Sequence, residues 1–301
     1  MKNRNLIGTL LLLLTAFIWG NAFVAQSDGM NYVGALTFMS SRFFLGGIVL
    51  IPFIVIKRAN RKDVSAKPFT AELKPALFCG ICCGTLLGIA SAFQQYGLLY
   101  TTVSKAGFIT TLYVIFVPLF SIFLKKKVGL SVWISVALAT VGLYMLCVTE
   151  TAALSFGDIL VFISSIFYAL QIMAIDKYAK SSDSMLVSSI QFLTIGFLTL
   201  VPALVIEQPT LSALKDALLP IAYAGILSSG VAYTLQVFAQ KFADPAVAAI
   251  TMSFESVFAV LAAAVLLNEH LSLKEIIGCV IMFAAIILAQ LPKEIFKPKR
   301  R

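Results

Sequence analysis

Residues 6–26 read LIGTLLLLLTAFIWGNAFVAQ, a run without one charged side chain, preceded by Lys2 and Arg4. About 20 apolar residues is the length at which an α-helix crosses a hydrocarbon core of about 30 Å. The basic start and apolar centre could suggest a leader peptide, but Trp19, Asn21 and Gln26 follow with no small-x-small cleavage site. The run is therefore expected to be a first membrane-spanning helix that stays in place.

Nine further stretches of the same kind follow at residues 34–56, 74–99, 103–124, 131–148, 156–178, 183–206, 212–240, 244–268 and 272–291. Hydrophobic residues make up 60% of the 301 and charged residues 12%, where a soluble domain averages about 25% charged. The expectation is an all-α, polytopic membrane protein of ten spans with no soluble domain left over. Strands are excluded by length and continuity: a membrane barrel alternates apolar and polar residues over about 10 positions, and lipid offers no partner to an open backbone.

The formal charge of +9 is a matter of topology and does not point to nucleic acid. Nineteen of the 23 Lys and Arg residues fall before the first span, after the last, or in alternate loops, including Lys57, Arg58, Lys125 to Lys127, Lys177, Lys180 and Lys241. The opposite loops receive only Lys105, Lys215 and Lys274, and Arg42 lies inside a span. Basic loops stay on the cytoplasmic side, so both termini are expected there, in a prokaryotic cytoplasmic membrane. The five cysteines, Cys79, Cys82, Cys83, Cys147 and Cys279, sit within apolar spans, far from the lone His270. Small residues in helix packing explain them, and neither a metal site nor a cofactor is expected.

A shift of 149 residues lays Gly8 on Gly157, Thr15 on Ser164, Trp19 on Tyr168, Arg42 on Gln191, Phe43 on Phe192 and Gly47 on Gly196. Further on the offset falls to about 140, with Leu130-Ser131 matching Leu271-Ser272. Two repeats of five spans are expected, residues 1–150 and 151–301. Because five is odd, the second enters the membrane from the opposite face, as in many secondary transporters. Asp244-Pro245 and the boxes Ser155/Asp158 and Ser272/Glu275 read as helix starts. Gly80, Gly84 and Gly88 in the third span, and Ala224, Ser228 and Ala232 in the eighth, form small-residue ridges for close helix contact, within the chain or in a homodimer.

Trp19-Gly20-Asn21, Arg42-Phe43, the segment Tyr113-Val114-Ile115-Phe116-Val117-Pro118, the segment Phe254-Glu255-Ser256-Val257-Phe258, and the junction Asn268-Glu269-His270-Leu271-Ser272 carry a resemblance. The chain resembles the EamA-type members of the drug/metabolite transporter superfamily across its whole length. That resemblance implies a ten-helix carrier of small metabolites made from two such repeats. Two departures stand out: Ser256, where the family commonly has proline, and Lys125-Lys126-Lys127, which ends the fourth span a turn early.

An ionisable residue at membrane depth is a functional candidate by default. Arg42 lies roughly 12 Å in from one end of its span and Glu255 roughly 16 Å from the other end of its own, at ~1.5 Å per residue, so both are near the midplane. Arg42 suits an anionic group such as a carboxylate and Glu255 a cationic group or a proton, unless the two pair as a structural lock. Around them, Gln191, placed opposite Arg42 by the repeat, Gln95, Gln236, Asn21, Trp19, Tyr113 and Tyr168 are candidate lining residues, alongside the remaining glutamines and tyrosines of the spans. Pro118 is a candidate hinge.

An enzyme would need paired carboxylates, a His cluster or an activated nucleophile at membrane depth, and none is visible. A receptor or scaffold would be expected to carry a soluble domain, yet the longest hydrophilic stretch is only about residues 57–74. The expected function is secondary transport of an amino acid or a similar polar or aromatic solute, in the export direction, by alternating access. The expected partners are that solute and the lipid bilayer.

Overall fold

The computed structural model describes residues 2–60, 69–126, 128–147, 155–180, 182–266 and 272–290. The linking segment 149–154, the junction 268–271 with His270, and the basic tail from residue 291 lie outside the described residues. The helices of the first part are α1 (Lys2–Gly29), α2 (Ala35–Ala59), α3 (Phe69–Gly97), α4 (Val103–Thr110), α5 (Tyr113–Phe123) and α6 (Leu130–Cys147). Those of the second are α7 (Phe156–Tyr178), α8 (Ser184–Pro202), α9 (Leu211–Asp216), α10 (Leu218–Ala222), α11 (Thr234–Ala239), α12 (Pro245–Met252), α13 (Glu255–Leu266) and α14 (Leu273–Gln290). Two π-helical stretches, Ala203–Glu207 and Tyr223–Tyr233, extend α8 and join α10 to α11.

Among the described residues, seven helical stretches, with α4–α5 and α10–α11 each taken as one, are long and apolar enough to cross a membrane, and three shorter apolar ones accompany them. Phe53, Phe123, Phe197, Leu219 and Phe283 stand exposed on their outer faces, which suits lipid and would be unfavourable in water.

Three of the expected spans are broken. Residues 103–124 divide at Thr111-Leu112, residues 244–268 at Ser253-Phe254, and residues 212–240 are assembled from α9, α10, the π-helical stretch and α11. The first break lies upstream of Pro118, which is buried within α5, so the proline does not mark it. Side chains satisfy the loosened backbone instead. Thr111 Oγ1 donates to the Phe108 carbonyl at 2.8 Å, and Ser253 Oγ to the Ile250 carbonyl at 2.8 Å. The two breaks face each other: Ser256 Oγ donates to the Gly107 carbonyl at 3.3 Å and lies 3.4 Å from Thr111 Oγ1. The Ser256 amide also donates to the Ser253 carbonyl at 3.2 Å, a bond that a proline at this position would lack.

The helices pack in exchanged pairs: α3 against α7, α1 against the second π-helical stretch and α11, α6 against α14, and α2 against α8. The α2/α8 contact is reciprocal. Ser40 Oγ donates to the Gly196 carbonyl at 3.2 Å, and Ser189 Oγ donates to the Gly47 carbonyl at 2.9 Å. Phe43 and Phe192 stack between them at 6.0 Å. Each contact therefore joins position i to the counterpart of its partner 149 residues away, in an antiparallel crossing. Replacing Ser40 or Ser189 by Ala is expected to destabilise the pair equally, by about 0.6 kcal/mol each, as for other interhelical bonds in membranes. Reversible unfolding of the two variants in mixed micelles measures this.

The glycine ridge of α3 is used internally. A Cβ at Gly84 would meet the Gln191 carbonyl at 2.7 Å, and one at Gly80 the Ile190 side chain at 2.6 Å, both on α8. The second ridge meets α1 and α2: the Ser228 and Ala232 carbonyls accept from Trp19 and Thr15, and Gly225 abuts the Arg42 carbonyl.

Ionic contacts close both ends of the bundle. At one end Lys57 pairs with Asp183 and Asp176 takes Lys126 and Lys180. At the other, Asp158 completes its capping box with Ser155 and accepts from Lys105 at 3.5 Å. Gly34 has no side chain to cap α2, and the Glu207 carboxylate does so from the first π-helical stretch, accepting from Leu36 N at 2.9 Å and Thr37 N at 2.7 Å. Asp158, which caps α7 as its box with Ser155 predicts, and Asp176 are both buried pairing residues.

Candidate functional site

One face of α1, carrying Trp19, Ala22, Phe23 and Gln26, lines a cavity inside the bundle. These positions are spaced i, i+3, i+4 and i+7, which aligns them on a single helical stripe. Arg42 of α2, Gln94 of α3, Thr110 of α4, Tyr113 of α5 and Tyr168 of α7 complete the near walls. Ser228 and Tyr233 of the second π-helical stretch and Glu255 of α13 close it. Its free volume is ≈ 30 Å³, room for water but not for a metabolite.

Arg42 and Glu255 are both buried, 2% and 4% exposed, and both reach this cavity. They do not pair with each other. Glu255 opens α13, where the free amides of a first helical turn favour a negative charge, and its Oε1 accepts from Tyr113 Oη at 3.1 Å. Tyr113 in turn opens α5. The helix breaks thus deliver a phenol and a carboxylate to one point. The Arg42 guanidinium lies 4.5 Å from the centre of the Phe43 ring and 5.9 Å from that of Phe38. Such stacking partly compensates a desolvated cation. Its Nε and Nη2 have no hydrogen-bond partner, a costly condition for a buried cation.

Aromatic and amide groups frame the two charges. Trp19 tilts over Tyr233 at 4.5 Å and donates to the Ser228 carbonyl at 3.3 Å. Tyr168 Oη donates to Gln94 Oε1 at 2.9 Å, and Gln94 Nε2 donates to Thr110 Oγ1 at 2.9 Å. The repeat-matched residues Trp19 of α1 and Tyr168 of α7 therefore share the cavity.

The other sequence candidates lie elsewhere. Asn21 turns back to its own helix, donating to the Phe17 carbonyl at 2.9 Å. Gln236 donates to Gln171 at 3.3 Å, between α11 and α7. Gln95 and Gln191 are fully buried, their amide groups without partners, and neither lines the cavity. Of the remaining glutamines and tyrosines, Gln26, Gln94 and Tyr233 do line it, together with Thr110 and Ser228, which the sequence did not single out as lining residues. The stripe from Trp19 to Gln26 was a signal in the sequence that could have ranked Gln26 above Asn21, which lies about 200° around the helix from Trp19 at 3.6 residues per turn.

The comparisons with known proteins agree with this architecture. The model of the EamA-like transporter family matches twice, over residues 6–148 and 155–291. An uncharacterized transporter of Archaeoglobus fulgidus is 29% identical over 293 residues, covering 96% of this chain and 87% of its own. The uncharacterized inner membrane transporter YedA of Escherichia coli is 23% identical, covering 99% and 96%. A solved crystal structure superposes with a TM-score of 0.77 over 97% of this chain and 99% of its own at 19% identity, a likeness of fold alone.

Proposed function

Because the chain belongs to the EamA-like transporter family, we propose that it is a secondary carrier for a small solute bearing both an anionic and a cationic group, such as an amino acid. The observation that carries this reading is the shared cavity. Arg42 has unsatisfied donors for a carboxylate, while Glu255 offers a carboxylate to an ammonium or a proton. The aromatic rings of Trp19, Tyr113, Tyr168 and Tyr233 suit an apolar or aromatic remainder.

In this reading ten spans form two five-helix halves, residues 1–150 and 151–301, inserted in opposite orientations in a prokaryotic cytoplasmic membrane. The reciprocal contacts of α2 with α8 support it. So do the paired breaks that deliver Tyr113 and Glu255, since broken helices meeting near the midplane are a recurrent way to build a substrate site. In this reading, the ionic contacts at both ends and the narrow cavity between them correspond to an occluded state. Alternating access then requires the contacts at one end to open while those at the other hold.

The test is counterflow in proteoliposomes preloaded with pooled amino acids, sugars, nucleosides or aromatic metabolites. The expected result is transient accumulation of labelled amino acid with saturable kinetics. Electrical conductance without counterflow, or no exchange of any pool by folded protein, would overturn the proposal.

A further inference from the structure

A second cavity, of ≈ 220 Å³, lies between the C-terminal end of α2, the N-terminal end of α8 and the length of α11 with Lys241 just beyond it. Its polar side is made by Lys57, Asp183, Ser184, Thr234 and Lys241, and its apolar side by Met185, Leu235 and Phe238. Phe238 is 42% exposed on the outer surface, so the apolar wall continues toward lipid. The cavity opens at the end of the bundle where the basic residues gather.

The polar side has more positive charge than its one acid balances. Asp183 is committed: Oδ2 takes Lys57, while Oδ1 accepts from the Met185 and Leu186 amides as the cap of α8. Lys241 donates to the neutral carbonyl of Ser182. Burial lowers the proton affinity of Lys241 below its ordinary value, against the opposing pull of Asp183. Two hydroxyls at the cavity, those of Ser184 and Thr234, are buried without a partner, and Ser184 is 6% exposed. Two ammonium groups, two unused hydroxyl donors and a single carboxylate make a receptor for one negative charge with several acceptor oxygens. An adjoining apolar wall at the membrane surface adds a place for a hydrocarbon chain.

We propose that this cavity binds the phosphodiester head group of an anionic glycerophospholipid, with Lys57, Lys241, Ser184 and Thr234 on the phosphate and an acyl chain along Leu235 and Phe238. A soluble phosphate would satisfy the polar side but leave the apolar wall unused. The inference requires only that the chain spans a bilayer with this end at an interface, and it is independent of what the central cavity carries.

Purified full-length protein in neutral detergent, titrated with phosphatidylglycerol, phosphatidylcholine or inorganic phosphate, tests it by native mass spectrometry and unfolding temperature. Phosphatidylglycerol is expected to give one saturable adduct and raise the unfolding temperature, with little effect of the other two. Lys57→Gln, at an exposed side chain that folding should tolerate, is expected to weaken the adduct about fivefold, the share of one interfacial lysine. Lys57→Arg should retain it, and Thr234→Val should weaken it. Equal binding of phosphatidylcholine would overturn the proposal, as would full stabilisation by inorganic phosphate or wild-type binding by both Lys57→Gln and Thr234→Val.

Discussion

Glu255→Gln and Arg42→Gln are each expected to lower counterflow by about 30-fold or more while leaving the protein folded. The magnitude follows from removing one member of a buried charge contact, about 2 kcal/mol at the low end. Glutamine at 255 can still accept the hydrogen bond of Tyr113, which the carboxylate accepts at 3.1 Å, so the local structure keeps its anchor. At 42, glutamine relieves a buried cation whose Nε and Nη2 find no partner, and stability should hold or rise. A structural lock predicts the reverse, with unfolding temperature falling and exchange surviving. Arg42→Lys should recover little exchange, because an ammonium cannot offer the two parallel donors of a guanidinium. Initial rates of exchange and unfolding temperatures, taken on the same preparations, separate the two outcomes.

The second large effect is steric. A Cβ at Gly20 would lie 2.6 Å from the Glu255 carbonyl oxygen and 2.8 Å from the Ala259 amide nitrogen. Both are backbone atoms of α13 and cannot rotate away, so Gly20→Ala must push α1 and α13 apart. Overpacking of this kind costs about 1–3 kcal/mol, and here it also displaces Glu255. Gly20→Ala should therefore lower the unfolding temperature and abolish exchange together. Gly107→Ala is the matched control. A Cβ there has nothing within 4 Å, and alanine gains up to about 1 kcal/mol over glycine in a helix, so this variant should be neutral or slightly stabilised.

The long apolar runs made the helices legible in the sequence, because lipid permits little else. The two charges inside apolar helices were legible for the same reason: Arg42 and Glu255 are unfavourable there unless the interior receives them. The breaks at Thr111-Leu112 and Ser253-Phe254 were not. Neither contains proline or glycine, and each depends on a hydroxyl side chain taking up loosened carbonyls, together with a contact to the other break. The π-helical stretch Tyr223–Tyr233 left no periodic trace either; its Ser228 and Ala232 carbonyls accept from Trp19 and Thr15 of α1, contacts far apart in the sequence.

Repeat matching did not fix which way a side chain faces. It brought Trp19 and Tyr168 to one cavity, yet Gln191, the counterpart of Arg42, lies outside it. Rotation about each helix axis decides which residues face inward, and a single step of about 100° separates Gln94, in the cavity, from Gln95, outside it.

Two-sided labelling at Ala22, which lines the cavity beside Trp19, tests most directly whether this site is exposed alternately. The protein would carry Ala22→Cys with its native cysteines replaced, and an impermeant thiol reagent would be applied to one face of the membrane at a time. The account predicts reaction from either face, and mutually exclusive protection when the contacts of Asp158 or of Asp176 at one end are cross-linked shut. Reaction from one face only, whatever is cross-linked, would contradict it.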